Sequence, residues 1–191
     1  TRFDKEVHVD KPRSRVVLLA KTFTGYQNLI ELVTRSNVDG FYYRPRIDDE
    51  ILAKLKDDLI CIIPSFAGEV AQALKDVNPE KAAERLDWYK NTFGENCYLE
   101  ISHHPEIFDH MSNQKKIIEL ANKTTTPLVA AHDVYYLKPE DRIARETMIK
   151  IQSGGVVENT EEFEEGVAPN FSFIDQEAAK KLFVDTPEAL Q

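Results

Sequence analysis

Glycine is scarce in this chain, with 7 in 191 residues. No GxxxxGK[ST] run occurs, and no GxGxxG follows the first predicted strand. Close backbone approach to a phosphate depends on glycine, so the P-loop and dinucleotide readings lack their key residues. A GxSxG elbow is missing as well, which removes the usual serine-hydrolase arrangement. Only two cysteines are present, Cys61 and Cys97, both in predicted buried strands and neither in a CxxC pair. They read as reduced core thiols rather than as a disulfide or a zinc knuckle. Basic charge is also short: 24 Lys and Arg stand against 33 Asp and Glu, a net charge of −9. Nucleic-acid affinity comes largely from cations on phosphates, so the chain is not expected to grip DNA by itself. No apolar run approaches the roughly 20 residues of a membrane helix, and no signal-peptide pattern opens the sequence. These features predict a cytoplasmic protein without membrane contact.

What the chain has is an ordinary globular balance, 42% hydrophobic and 30% charged, enough for one domain with a core and a small appendage. Residues 1–13 read as an extended lead-in, and Ser14–Ala20 as a β-branched strand. Thr24 is a plausible cap for a helix to Ser36. Phe41–Arg46 is an aromatic and basic loop, extended before Pro45, with two solvated arginines. Asp48 caps a helix to Lys56, Leu59–Ile63 is a second strand, and a short helix ends near Lys75. Asn78-Pro79-Glu80 is a strong helix start, and Gly94 stops that helix after Phe93. Cys97–Ile101 is a third strand, Asn113–Asn122 a helix, and Pro127–Asp133 a fourth strand. Pro139 opens a helix to Gln152, broken by Ser153-Gly154-Gly155. Strands alternating with helices predict parallel βαβ units. Gly154–Asn170 reads as an exposed acidic loop, and Asp175–Phe183 and Thr186–Gln191 as short helices. The organisation is therefore one α/β body over 1–153, with a different substructure over 154–191.

Polar residues gather at the predicted strand tips: Ser65 and Glu69, then His103 and His104, then His132 and Asp133. Parallel strands place such tips at one end of a sheet, where α/β folds build their sites. Imidazole and carboxylate suit zinc or manganese, and a bound ion would activate water for hydrolysis. No metal spacing such as HExxH supports this, and partly exposed loop histidines with a capping aspartate are the plain alternative. His8 and His110 read as surface residues.

Several segments, in order and spacing, carry a family resemblance: Val17–Lys21, Gly25–Ile30, Gly40–Arg46, Ala67–Val70, Tyr98-Leu99-Glu100, Pro127–Ala130 and Asp133–Leu137. Together they resemble the polymerase-and-histidinol-phosphatase (PHP) domain of bacterial DNA polymerase III alpha subunits. Ile151–Gly154 and Phe183–Leu190 resemble the run-on from that domain towards the polymerase palm. The resemblance implies part of a distorted (β/α)7 TIM-like barrel with parallel strands, followed by a small helical extension. The family's opening HxH motif and second motif would lie upstream of Thr1, which makes this chain a barrel fragment. It also implies a metal site, with zinc or manganese in intact members, to which His104 and Asp133 correspond. Tyr135 stands at a family histidine and Ser65 at a usual cysteine, while His132 replaces an asparagine. No catalytic residue is carried over.

The favoured expectation is a non-catalytic scaffold from a replicative polymerase, whose partners are the remainder of the alpha subunit and the proofreading exonuclease subunit. DNA would be met only through the full-length polymerase, a DNA-directed nucleotidyltransferase. The alternatives are a metal-dependent phosphoesterase or 3′-5′ proofreading exonuclease using His104 and Asp133, and an unrelated α/β binding module. A barrel without its first strands exposes a sheet edge, so self-association is expected.

Overall fold

The computed structural model describes residues 1–5, 13–105, 107–152 and 170–190. His8, the Ser153-Gly154-Gly155 stop and the acidic run Glu158–Gly166 lie outside the described residues. The chain divides into two units, Thr1–Leu99 with Thr124–Pro127, and Glu100–Lys123 with Leu128–Gln191.

The first unit holds β1 (Val17–Ala20), α1 (Phe23–Val38), α2 (Asp49–Lys54), β2 (Leu59–Ile63), α3 (Glu69–Lys75), α4 (Pro79–Phe93) and the start of β3 (Cys97–Ser102). Local chemistry sets most of these limits. The Asn78 side chain accepts from the Lys81 N–H at 3.0 Å, Pro79 fills the first helical position, and Gly94 leaves α4 at φ +57°. α1 is capped by Thr22, not Thr24: the Thr22 hydroxyl accepts from the Gly25 N–H at 3.3 Å, so the helix starts earlier than the sequence suggests. Gly25 permits this, because a Cβ there would stand 2.2 Å from the Asp58 carbonyl oxygen. The helix is thereby able to lie against the turn entering β2.

β2 and β3 pair in parallel, with Cys61 opposite Cys97 and Ile63 opposite Leu99. β1, however, pairs with β2 antiparallel, from Val17 opposite Ile62 to Ala20 opposite Leu59. The expectation of parallel strands throughout is corrected here. The number of helices does not decide this, since two helices also lie between the parallel pair β2 and β3; the direction of β1 is fixed by its ladder to β2. Within this unit β2 lies between β1 and β3, which leaves β1 an edge strand among the described residues.

Leu59, Ile63, Val70, Ala82, Leu86 and Leu99 form the core of this unit. Each large aliphatic side chain buried this way contributes on the order of 1.5–3 kcal/mol. Arg85 on α4 ties two other elements to it. Its Nε donates to Glu69 at 2.6 Å, its two terminal nitrogens to Asp49 at 2.8 and 2.9 Å, and its plane lies over the Trp88 ring. Arg46 is not the solvated arginine expected of its loop. It donates to the carbonyls of Gly40, Arg2 and Asp4, supplying donors that these turn carbonyls need.

The second unit holds the end of β3, α5 (His110–Thr124 up to Lys123), β4 (Leu128–Ala131), α6 (Arg142–Gln152), α7 (Gln176–Leu182) and a closing 3-10 turn, Pro187–Leu190, that packs on β4. α5 begins three residues before Asn113, because the Asn113 N–H already bonds the Asp109 carbonyl at 3.0 Å. Pro139–Asp141 forms a 3-10 turn ahead of α6, and Asp175 caps α7 through the Ala178 N–H at 2.8 Å. A backbone clasp joins residues far apart in sequence. The Tyr135 N–H donates to the Phe171 carbonyl at 2.9 Å, the Phe173 N–H to the Tyr136 carbonyl at 2.9 Å, and the Phe171 N–H to the Tyr136 hydroxyl at 3.0 Å. Among the described residues, no helix is long and apolar enough to cross a membrane.

Candidate functional site

β4 is a short apolar strand, and the chain leaves it at Ala131, delivering His132 and Asp133 to its C-terminal tip. Both lie in the second unit with His104, His110 and the clasp, so this neighbourhood can be built residue by residue.

His132 is oriented by the clasp. Its Nε2 lies 2.9 Å from the Ser172 carbonyl oxygen, which only accepts, so Nε2 carries the proton. Nδ1 is buried and without a hydrogen-bond partner among the described residues. His110 is held in the same manner, Nε2 donating to the Ser102 carbonyl at 2.8 Å. It is 95% buried by its 5% exposure, not the surface residue the sequence suggests. A loop position before a predicted helix gives no sign that the first turn folds inward against β3.

His104 is fully buried, and its Nε2 stands 3.6 Å from Asp133 Oδ2, beyond hydrogen-bond length but within ion-pair reach. Its ring stacks on His132 at 5.9 Å and meets His110 edge-on at 5.8 Å. The contact with His104 holds the Asp133 carboxyl below its ordinary range. Burial opposes this, while His132 and His110 add to it. Three imidazoles thus act on one half-exposed carboxylate.

Phe171 closes the arrangement from the clasp. Its buried ring lies 5.1 Å from the His104 ring and 5.1 Å from Tyr135, and the Arg145 guanidinium of α6 sits 4.1 Å over Tyr135 and 5.3 Å over Phe171. The donors are of the right kind for zinc or manganese, but they do not gather as an ion requires. Among the described residues no group of three or more His, Cys, Asp or Glu side chains is placed to hold a metal. An aromatic ring fills the ground beside His104.

The remaining predicted residues have other employment. Glu69 belongs to the first unit and is bound to Arg85; Ser65 is buried in that same unit. His103 faces Phe183, ring to ring, at 6.4 Å. Cys61 and Cys97 are free, buried thiols, as expected. Burial pushes both upward, Cys97 to about 11. Sequence reasoning missed His110, Phe171, Ser172 and Arg145, which come from a helix start and from segments remote from the β4 tip. The clasp brings Phe171 and Ser172 there, the bond to the Ser102 carbonyl holds His110, and α6 carries Arg145.

Residues 3–104 match the family described as PHP domain. Relatives named DNA polymerase III subunit alpha extend the likeness. The protein of Borreliella burgdorferi is 33% identical over 188 residues, covering 98% of this chain and 16% of its own length. Those of Treponema pallidum and Thermus aquaticus are each 34% identical, over 79% and 84% of this chain and 13% of their own lengths. The chain therefore spans about a sixth or less of these relatives.

Proposed function

Because the chain belongs to the PHP-domain family, we propose that it is the later part of the PHP barrel in a bacterial DNA polymerase III alpha subunit, acting as a scaffold and not as a hydrolase. One observation carries the choice. His104 and Asp133 persist as a pair, while Phe171 meets Tyr135 edge-on and packs on His104, where an ion site would need further donors. On this reading the described residues hold neither zinc nor manganese, and the chain carries out no hydrolysis.

The scaffold reading carries its context with it. The four strands would be part of a distorted (β/α)7 barrel, completed by the remainder of an alpha subunit in the cytoplasm. The proofreading exonuclease subunit is the proposed docking partner, and DNA would be met through the full-length polymerase. Nucleotidyl transfer belongs to that larger protein.

A metal-dependent phosphoesterase or 3′-5′ exonuclease remains the second reading, favoured by the buried, unpartnered Nδ1 of His132 and the lowered Asp133 carboxyl. In it, His104 and Asp133 are the metal ligands. Elemental analysis separates the two, on chain purified without chelators, incubated with zinc and manganese, and compared with Asp133→Ala. The scaffold reading expects metal far below one ion per chain in both. Stoichiometric metal that disappears with Asp133→Ala would overturn it.

A further inference from the structure

The arginines partly withdrawn from solvent are Arg2, Arg46, Arg85, Arg142 and Arg145. Arg2 donates to Asp48, Arg46 to three carbonyls, Arg85 to Glu69 and Asp49, and Arg142 to Glu146. Arg145 donates to no acceptor among the described residues. What it has instead is a platform. Its guanidinium lies 4.1 Å over the Tyr135 ring and 5.3 Å over Phe171, so two aromatic faces hold its plane while the N–H groups along its edge stay unused. The platform is itself fastened, by the Tyr135 N–H on the Phe171 carbonyl at 2.9 Å and the Phe171 N–H on the Tyr136 hydroxyl at 3.0 Å.

Carboxylates of the same segments are engaged elsewhere. Asp133 lies 3.6 Å from His104, Asp141 accepts from the Lys138 N–H at 3.1 Å, and Glu146 takes Arg142. A guanidinium that has given up part of its hydration and gained no acceptor is an incomplete ion site. In a chain with 33 Asp and Glu against 24 Lys and Arg, the vacancy does not come from a shortage of carboxylates. We propose that Arg145, held on its Tyr135–Phe171 platform, binds an oxyanion, the carboxylate or phosphate group of a small ligand. Stacking leaves the planar fork free to present two parallel N–H groups to two oxygens, an arrangement an ammonium cannot copy. The assignment is independent of the scaffold reading, because it uses no metal, no hydrolytic step and neither His104 nor Asp133 as a ligand.

Titration of the 191-residue chain with inorganic phosphate and, separately, with acetate tests it, at neutral pH and constant ionic strength, followed through the NMR signals of the Arg145 Nε–H and the Glu146 amide. One bidentate, charge-assisted contact is expected to saturate with a dissociation constant on the order of 1–10 mM. The Arg85 Nε–H, already committed to Glu69, is expected to stay in place. Arg145→Lys keeps the charge but loses the fork and the stacking, and is expected to weaken binding at least about tenfold as read at Glu146. Tyr135→Phe keeps the platform and should leave binding unchanged, whereas Tyr135→Leu removes half of it and should weaken binding by about threefold. Circular dichroism is expected to be unchanged in each variant. The two arms identify the oxyanion: saturation by phosphate alone, by acetate alone or by both upholds the site and says which group it takes. No saturable shift with either anion up to about 50 mM would overturn the proposal. So would equal affinity in Arg145→Lys and the parent chain, since the response would then report charge alone.

Discussion

Replacing His110 by alanine separates a buried structural imidazole from an exposed loop histidine by a wide margin. The ring is nearly inaccessible, donates to the Ser102 carbonyl at 2.8 Å and lies edge-on to His104 at 5.8 Å. Loss of the hydrogen bond removes about 1 kcal/mol. A void on the order of 50 Å³, at about 24 cal/mol per Å³, adds about 1.2 kcal/mol. The loss of ring contacts brings the expected total to about 2–3 kcal/mol. An exposed histidine would change stability by no more than about 0.5 kcal/mol. Urea unfolding at neutral pH measures the total, and hydrogen exchange in the first turn of α5 locates it. His110→Gln, which keeps an amide donor, should recover part of the loss. A change below about 0.5 kcal/mol, with unaltered exchange at α5, would refute the inward placement of this histidine and the imidazole cluster built on it.

Three further outcomes follow from other parts of the molecule. Gly25→Ala gains about 1 kcal/mol of helix propensity in α1, but its methyl would stand 2.2 Å from the Asp58 carbonyl; thermal melting should therefore show net destabilisation. Burial works against ionisation of Asp48, but the Arg2 and Ile51 N–H groups and the Arg2 guanidinium outweigh it and hold this carboxyl low. Its contribution is present above the unfolded value of about 3.9 and is lost as pH falls through the lower folded value. Asp48→Asn, which retains a capping oxygen, should lower the urea midpoint at pH 7, and the difference from the parent chain should begin to shrink near about pH 4 and vanish only below the lowered folded value. Cys61 and Cys97, buried with raised thiol values, should resist a thiol reagent in the native chain and react on unfolding.

Much of the framework was legible because it rests on local chemistry. Leu59–Ile63 was read to the residue, and α4 from Asn78, Pro79 and Gly94, since each of these residues acts within one turn of its own position. The direction of β1 was not legible. Alternation of strands and helices does not record strand direction: two helices separate β1 from β2 and two separate β2 from β3, yet the first pair is antiparallel and the second parallel. At the site, His132 and Asp133 were readable as a strand tip because an apolar run ends there. Phe171, Ser172 and His110 were not, because nothing near them in sequence records a partner some 40 or 8 residues away. Arg46 marks the same limit at the surface, where a cation read as solvated is bound by three carbonyls.

The clasp between Tyr135–Tyr136 and Phe171–Phe173 closes a loop whose ends are separated by 35 positions. Loop closure entropy grows only with the logarithm of length, so doubling such a loop adds only about 0.6 kcal/mol. The hydrogen bonds that fasten its ends are of that order or larger. The β4 tip is therefore held by a few hydrogen bonds between distant segments rather than by its sequence neighbours.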